Sequence, residues 1–189
     1  LSVSIVPPRD ASEFEGKSLI AMRVEQLQAM GLIGAAAELI SAAPTRDTDP
    51  DLLRAKVDNL FLFNDLGGAC DVVRRQRNRL IEEYWQRSLV FCQALEGDVD
   101  GAVLGASLLA EDEDVDDPVF FALVDVLTNG RSVSVDSLRQ PTPLHLAMLR
   151  TANIQIPSDA LDRGSPALLR SIGLSPNAVK ELRLDAAEW

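Results

Sequence analysis

The apolar positions of this chain recur at helical spacing and reset at a fixed interval. Val24, Val57, Val90 and Leu123 stand 33 residues apart. Leu27, Leu60, Gln93 and Val126 form a second column three positions later, broken only by its glutamine. Downstream of each pair stands a residue suited to the left-handed conformation that closes a helix: Gly31, Asn64, Gly97 and Gly130, again at intervals of 33. After the first three come an apolar residue, Ile33, Leu66 or Val99, and then a small pair, Ala35-Ala36, Gly68-Ala69 or Gly101-Ala102. Small side chains there let two helix backbones approach closely, as a hairpin of helices requires at its crossing. The spacing predicts helices over 18–30 and 33–43, 51–63 and 66–77, 80–96 and 99–110, and 118–129. Asp49-Pro50 and Asp117-Pro118 mark two starts, each an acid at the N-cap before a proline whose missing amide proton costs nothing in the first turn.

The fourth unit departs from the pattern after Gly130, where Arg131 to Val135 brings Ser and Val in place of the small pair, so its second helix is unsupported. Beyond it, Thr142-Pro143, Ser165-Pro166 and Ser175-Pro176 each offer a hydroxyl cap before a proline, starting short helices over Leu144–Thr151, Ala167–Ile172 and Val179–Leu184. Terminal units of stacked proteins are commonly atypical because they cover an exposed apolar end. Residues 131–189 therefore read as an irregular helical cap on repeats spanning 17–130, and residues 1–16, with Pro7 and Pro8, as a linker from a longer protein.

Gly97-Asp98-Val99-Asp100-Gly101-Ala102-Val103 resembles the turn and second-helix start of a tetratricopeptide repeat, whose consensus there is close to G-D-Y-D-E-A-I. Met30-Gly31-Leu32-Ile33-Gly34-Ala35-Ala36 and Phe63-Asn64-Asp65-Leu66-Gly67-Gly68-Ala69 keep the turn, the apolar residue and the alanine. Ala36, Ala69 and Ala102 match the family's small-residue position, whereas Val24, Val57 and Val90 stand where it favours glycine. The likeness covers residues 17–130 and implies an all-α fold, a right-handed stack of antiparallel helix hairpins, or α-solenoid. The Ala- and Arg-rich texture is also similar to helical-repeat proteins of high-GC bacteria.

Carrying over the family's groove positions puts Glu25 and Gln28, then Arg54, Asp58 and Phe61, then Tyr84, Arg87 and Phe91, and finally Phe120, on the concave face that the resemblance implies. Arg54 and Arg87, 33 residues apart, would grip carboxylates of a partner peptide, with Phe61, Tyr84 and Phe91 as aromatic anchors. A competing reading has Arg54 paired with Asp58 four residues on, and the aromatics in the interhelix core.

Charge narrows the partner. The 189 residues carry 29 Asp and Glu against 18 Lys and Arg, three of them lysine, for a net charge of −11. A chain this acidic lacks the positive stripe that grips a phosphate backbone, so nucleic acid is not expected. No stretch approaches the ~20 uncharged apolar residues of a membrane span, so no insertion is expected either.

Little chemistry is on offer. His145, the single histidine, sits in the apolar run Pro143 to Met148 and reads as a packing residue. With two cysteines, no C-x-x-C, no H-E-x-x-H, no phosphate-binding glycine loop and no nucleophile elbow, neither metal nor cofactor is expected. Glu111 to Asp117 holds six acids in seven residues but lacks the glycine and distal glutamate of a calcium loop, and reads as a solvated acidic start to the next helix. Cys70 and Cys92 fall on neighbouring elements and form either a disulfide or two buried thiols, which leaves cytoplasm and bacterial periplasm or envelope both open. The expectation is a non-enzymatic scaffold that binds a protein or peptide. The alternative is an accessory helical domain of a larger enzyme, possibly one acting on the cell wall.

Overall fold

A computed structural model describes residues 13–14, 17–76, 82–112, 115–131 and 133–175. The described residues are all-α apart from one short antiparallel pair, β1 (Glu13–Phe14) with β2 (Lys17–Ser18), inside what the sequence presents partly as linker. Seven helices follow at the expected places: α1 (Leu19–Ala29), α2 (Ile33–Ala42), α3 (Pro50–Leu62), α4 (Leu66–Arg75), α5 (Glu83–Glu96), α6 (Val99–Ala110) and α7 (Pro118–Asn129). The expected start of α5 at residue 80 lies outside the described residues; the helix runs from Glu83.

The four turn residues take the left-handed conformation, with φ of 73° at Gly31, 58° at Asn64, 78° at Gly97 and 66° at Gly130. The first three turns share one hydrogen-bond pattern. Leu32, Asp65 and Asp98 donate their amides to the carbonyls of Leu27, Leu60 and Gln93 at 2.8, 2.9 and 2.9 Å, closing each helix with the six-to-one bond of a Schellman turn. In two of them the next helix is capped at once, since Asp65 and Asp98 accept from the amides of Gly68 and Gly101, both at 3.0 Å. Gly130 closes α7 differently, through its own amide to Val126 at 2.9 Å, and no helix follows among the described residues until Pro143.

Each hairpin closes on its alanine, Ala36, Ala69 or Ala102, all fully buried. Opposite them Val24, Val57, Val90 and Leu123 are buried as well. In the third hairpin Gly105 lets α6 approach α5 so nearly that an added Cβ would stand 2.6 Å from Cγ2 of Val90. Neighbouring hairpins join through α2 against α3, α4 against α5 and α6 against α7. A polar bridge adds to the first junction, where Gln28 donates to Asn59 Oδ1 at 3.2 Å and Asn59 donates to the Ile33 carbonyl at 3.3 Å. A disulfide between Cys70 of α4 and Cys92 of α5, with Cα atoms 5.5 Å apart, fastens the second.

The C-terminal region, read from the sequence as an irregular helical cap, carries helices where it is described. Among the described residues three helices lie there: α8 (Pro143–Thr151), α9 (Ser158–Arg163), which no cap-and-proline signal announces, and α10 (Pro166–Leu174). The expected helix over 179–184 lies outside the described residues. Instead of covering the last hairpin alone, α8 packs against α3 and α7, and α10 returns to α1, α2 and α3. Leu144 through Leu149 of α8 are six consecutive buried residues, the environment of a core helix. The reason lies in the first helices of the hairpins, whose Phe61, Phe91 and Phe120 are fully buried in one cluster with α8. Water is a worse neighbour for those rings than a second apolar helix.

Two outcomes check this packing. Replacing Ala69 with Leu overfills the α3–α4 crossing and lowers stability by about 1–3 kcal/mol, read as a shift of the urea midpoint. Reducing the Cys70–Cys92 bond, whose residues are 22 apart in sequence, lowers it by about 3 kcal/mol, read by thermal melting with and without a phosphine reductant.

Candidate functional site

Of the six residues expected to grip a partner, three meet in one cluster, Arg87 joins a second, and Phe61 and Phe91 pack together in the core, so most of them are turned to the chain's own use. In the first, Arg54 and Asp58 on α3 meet Tyr84 on α5. The Tyr84 hydroxyl donates to Asp58 Oδ1 at 2.9 Å, and the Arg54 guanidinium lies 4.4 Å from the centre of the Tyr84 ring. Arg54 is exposed and stacks on the ring rather than pairing with Asp58 along the helix. Part of Asp58 stays accessible, yet protein surrounds its carboxyl. Burial pushes the carboxyl up to about 6, although the Tyr84 hydrogen bond and the Arg54 charge pull the other way. Tyr84 is raised too, by burial first and by the neighbouring carboxylate second.

The second cluster joins three elements around Asp117, the N-cap of α7. Its Oδ1 accepts from the Phe120 amide at 3.0 Å, while Oδ2 takes Arg87 of α5 at 2.6 Å and stands 3.0 Å from His145 Nε2 of α8. Arg87 also reaches Glu83 at 2.5 Å and lies 5.3 Å from the centre of the Phe120 ring. His145 is buried, and its Nδ1 is 2.8 Å from the Thr142 hydroxyl. Burial alone would raise the Asp117 carboxyl; the His145 contact, the Phe120 amide and Arg87 more than offset it, and the net shift is downward. Hydroxyl, imidazole and carboxylate stand in a row, an order that in other settings serves nucleophilic catalysis. Here the Thr142 oxygen already accepts the His145 amide at 3.2 Å as the cap of α8. The row braces α8 against α7 and α5.

The expected open aromatic face therefore does not form. Phe61 and Phe91 pack against each other, ring centres 5.8 Å apart, and both are fully buried. Tyr84 is half-buried, and Arg87 keeps only 17% of its side chain exposed and is ion-paired twice. Of the outer positions, Gln28 bridges to α3, Glu25 pairs with Lys17 at 2.5 Å, and Phe120 is fully buried. The resemblance supplied positions on the first helices but no information about α8, which packs against α3 and α7. Opening that face would expose Leu144, Leu146, Met148 and Leu149, at about 1.5–3 kcal/mol each, which together matches the whole stability of an ordinary domain.

Beneath α8 a second clamp completes the closure. The carbonyl of Leu62, left without a helical partner at the end of α3, accepts from the Ser171 hydroxyl of α10 and from Arg150 of α8 at 3.4 Å. Arg150 in turn donates to the Ser171 hydroxyl at 3.1 Å and its carbonyl at 3.2 Å. Neither Arg150 nor Ser171 stands out in the sequence, because the signal is a single helix-end carbonyl 88 and 109 residues away.

What remains exposed lies on the outside. Among the second helices, α2 turns Gly34, Ala35, Glu38 and Ser41 outward and α4 turns Gly67, Asp71, Arg74 and Arg75 outward. On α6 the corresponding surface carries Val103, Leu104 and Leu108, at 42, 62 and 59% exposure, together with Val99. Sequence reasoning gave α6 no binding role, although its apolar outer positions were there to be counted. Among the described residues no group of three or more His, Cys, Asp or Glu side chains is placed to hold a metal ion, and no helix is long and apolar enough to cross a membrane. No family model matches the chain, and no curated protein or solved structure matches it.

The raised Asp58 carboxyl sets a pH dependence of stability. The folded chain holds this proton more tightly than the unfolded chain, so the stabilising contribution is complete below about 3.8 and is lost as pH rises through about 6. Asp58→Asn removes that loss. With an allowance for the accessible part of the side chain, the variant is expected to be more stable than the parent by about 1–2 kcal/mol at pH 7.5 and equal to it near pH 4, measured by urea titration at both pH values.

Proposed function

We propose that this chain is a non-enzymatic protein-interaction module, built as a tetratricopeptide-like stack of helix hairpins whose inner face is filled by its own α8. A partner protein then docks on the outer, second-helix side. The observation that carries this reading is the outward face of α6, where Val99, Val103, Leu104 and Leu108 are all exposed. Scattered exposed apolar residues need no explanation, but several on one helix face are a common mark of a contact surface. The recurrence of the left-handed turn every 33 residues, with a buried alanine five residues on, supports the hairpin-stack part of the reading.

The test is affinity capture from a lysate of the source organism, with wild-type chain, a Leu104→Ser, Leu108→Ser variant and an Arg54→Glu variant as baits, read by mass spectrometry. A protein retained by the wild type and by Arg54→Glu but lost with the α6 variant is the expected result. Identical background on all three baits overturns the interaction reading. A protein lost with Arg54→Glu alone moves the docking surface to the α3–α5 side.

A further inference from the structure

We infer that the α6 face receives a basic amphipathic helix of the partner, its apolar ridge set into α6 and its Lys or Arg side chains against the carboxylates at the two ends. This deepens the interaction-module reading and rests on it. Two rows of side chains four residues apart run along the exposed half of α6: Val99, Val103 and Ser107, and beside them Asp100, Leu104 and Leu108. Rows of this kind form the ridges between which a second helix lays its own. Inward, Gly105 and Ala102 are committed to the contact with α5, so the outer rows are not needed to hold the hairpin together.

Charge selects the occupant. From residue 88 to residue 130 the chain holds ten carboxylates and neither Lys nor Arg. Asp98 and Asp100 are exposed at the start of α6, and Glu111 and Asp112 are exposed just past its end. A second copy of this chain would bring the same carboxylates face to face, a juxtaposition that disfavours association. Anionic lipid or nucleic acid would meet the same repulsion. A cationic helix meets the opposite: its apolar side covers the two rows, and its flanking charges lie within a Debye length of about 8 Å of the acids at physiological salt. The apolar contact supplies affinity, and the charges choose the partner and its direction along α6.

The probe is a labelled 18-residue synthetic peptide with leucine on one helical face and lysine on its flanks, with a sequence-scrambled isomer and a glutamate-for-lysine isomer as controls, followed by fluorescence anisotropy at 0.15 M salt. The lysine peptide is expected to bind the wild-type chain at least about ten-fold more tightly than either control, because the scrambled isomer has no apolar ridge and the glutamate isomer is repelled. Leu104→Ser with Leu108→Ser should weaken it by about ten-fold or more, and Glu111→Lys with Asp112→Lys should weaken it while improving the glutamate peptide. Both pairs lie on the surface and leave the circular dichroism spectrum unchanged. Lysine-peptide binding indifferent to the leucine changes would mean general attraction to an acidic chain and would overturn the inference. So would a wild-type dimer in sedimentation equilibrium that the leucine changes dissolve, since the occupant is then a second copy. A partner captured from lysate that survives the α6 changes removes this surface while leaving the module reading intact.

Discussion

The structure depends on one demand: the aromatic rings of α3, α5 and α7 have to be kept from water. Phe61, Phe91 and Phe120 come from three different helices, α3, α5 and α7, and are all fully buried. Ala36, Ala69 and Ala102 of α2, α4 and α6 are buried without help from these rings, which need a cover of their own. Here α8 supplies the cover, and the polar contacts around it set its position. The Asp117 brace holds one end and the Leu62 carbonyl clamp the other, so that a helix of nine residues is fixed on α7 and α3 at once.

That arrangement changes what the family-like positions mean. Arg87 has the spacing of a groove arginine and the chemistry to grip a partner's carboxylate, and it does grip one, Asp117 of its own chain. A largely buried pair of this kind contributes little net stability compared with an apolar substitute, yet removing one member leaves an uncompensated charge. Its use is therefore geometric. Arg87 on α5, Asp117 at the start of α7 and His145 on α8 agree on one relative position of three helices, which apolar packing alone leaves freer to slide.

Much of the fold was legible because it is written in local, repeated chemistry. The turn residues at 31, 64, 97 and 130 needed only the rule that glycine and asparagine tolerate positive φ, and the Asp-Pro pairs placed α3 and α7. The Thr-Pro and Ser-Pro pairs likewise placed α8 and α10, but not their destination. Where α8 docks is decided by contacts with Asp117 at the start of α7 and with Leu62, 88 positions before Arg150, and no periodicity within the segment carries that information. α9 escaped notice for a related reason: its N-cap is Pro157, whose side chain makes no capping bond, so the usual signal is missing. Of the expected groove residues Arg54, Asp58 and Tyr84 meet one another, while Arg87 turns to Asp117 and the burial of Phe61 and Phe91 follows from packing that the repeat pattern does not mention.

The same reasoning directs attention to the outside of the molecule. A chain of net charge −11 is repelled by anionic surfaces, and an apolar patch or a cationic counterpart offsets that repulsion. On α6 both conditions are met within four helical turns. Its sequence spends a single charge, Asp100, on twelve residues, whereas α4 spends Asp71, Arg74 and Arg75 on ten and satisfies Arg74 internally with Asp71 and Glu96. The contrast matters because the two helices hold equivalent places in successive hairpins and face the same burial requirement toward their partners, α3 and α5. Packing demands therefore account for Ala69 and Ala102 alike but leave Leu104 and Leu108 without an internal role. Their exposure is the observation on which the proposed docking face rests.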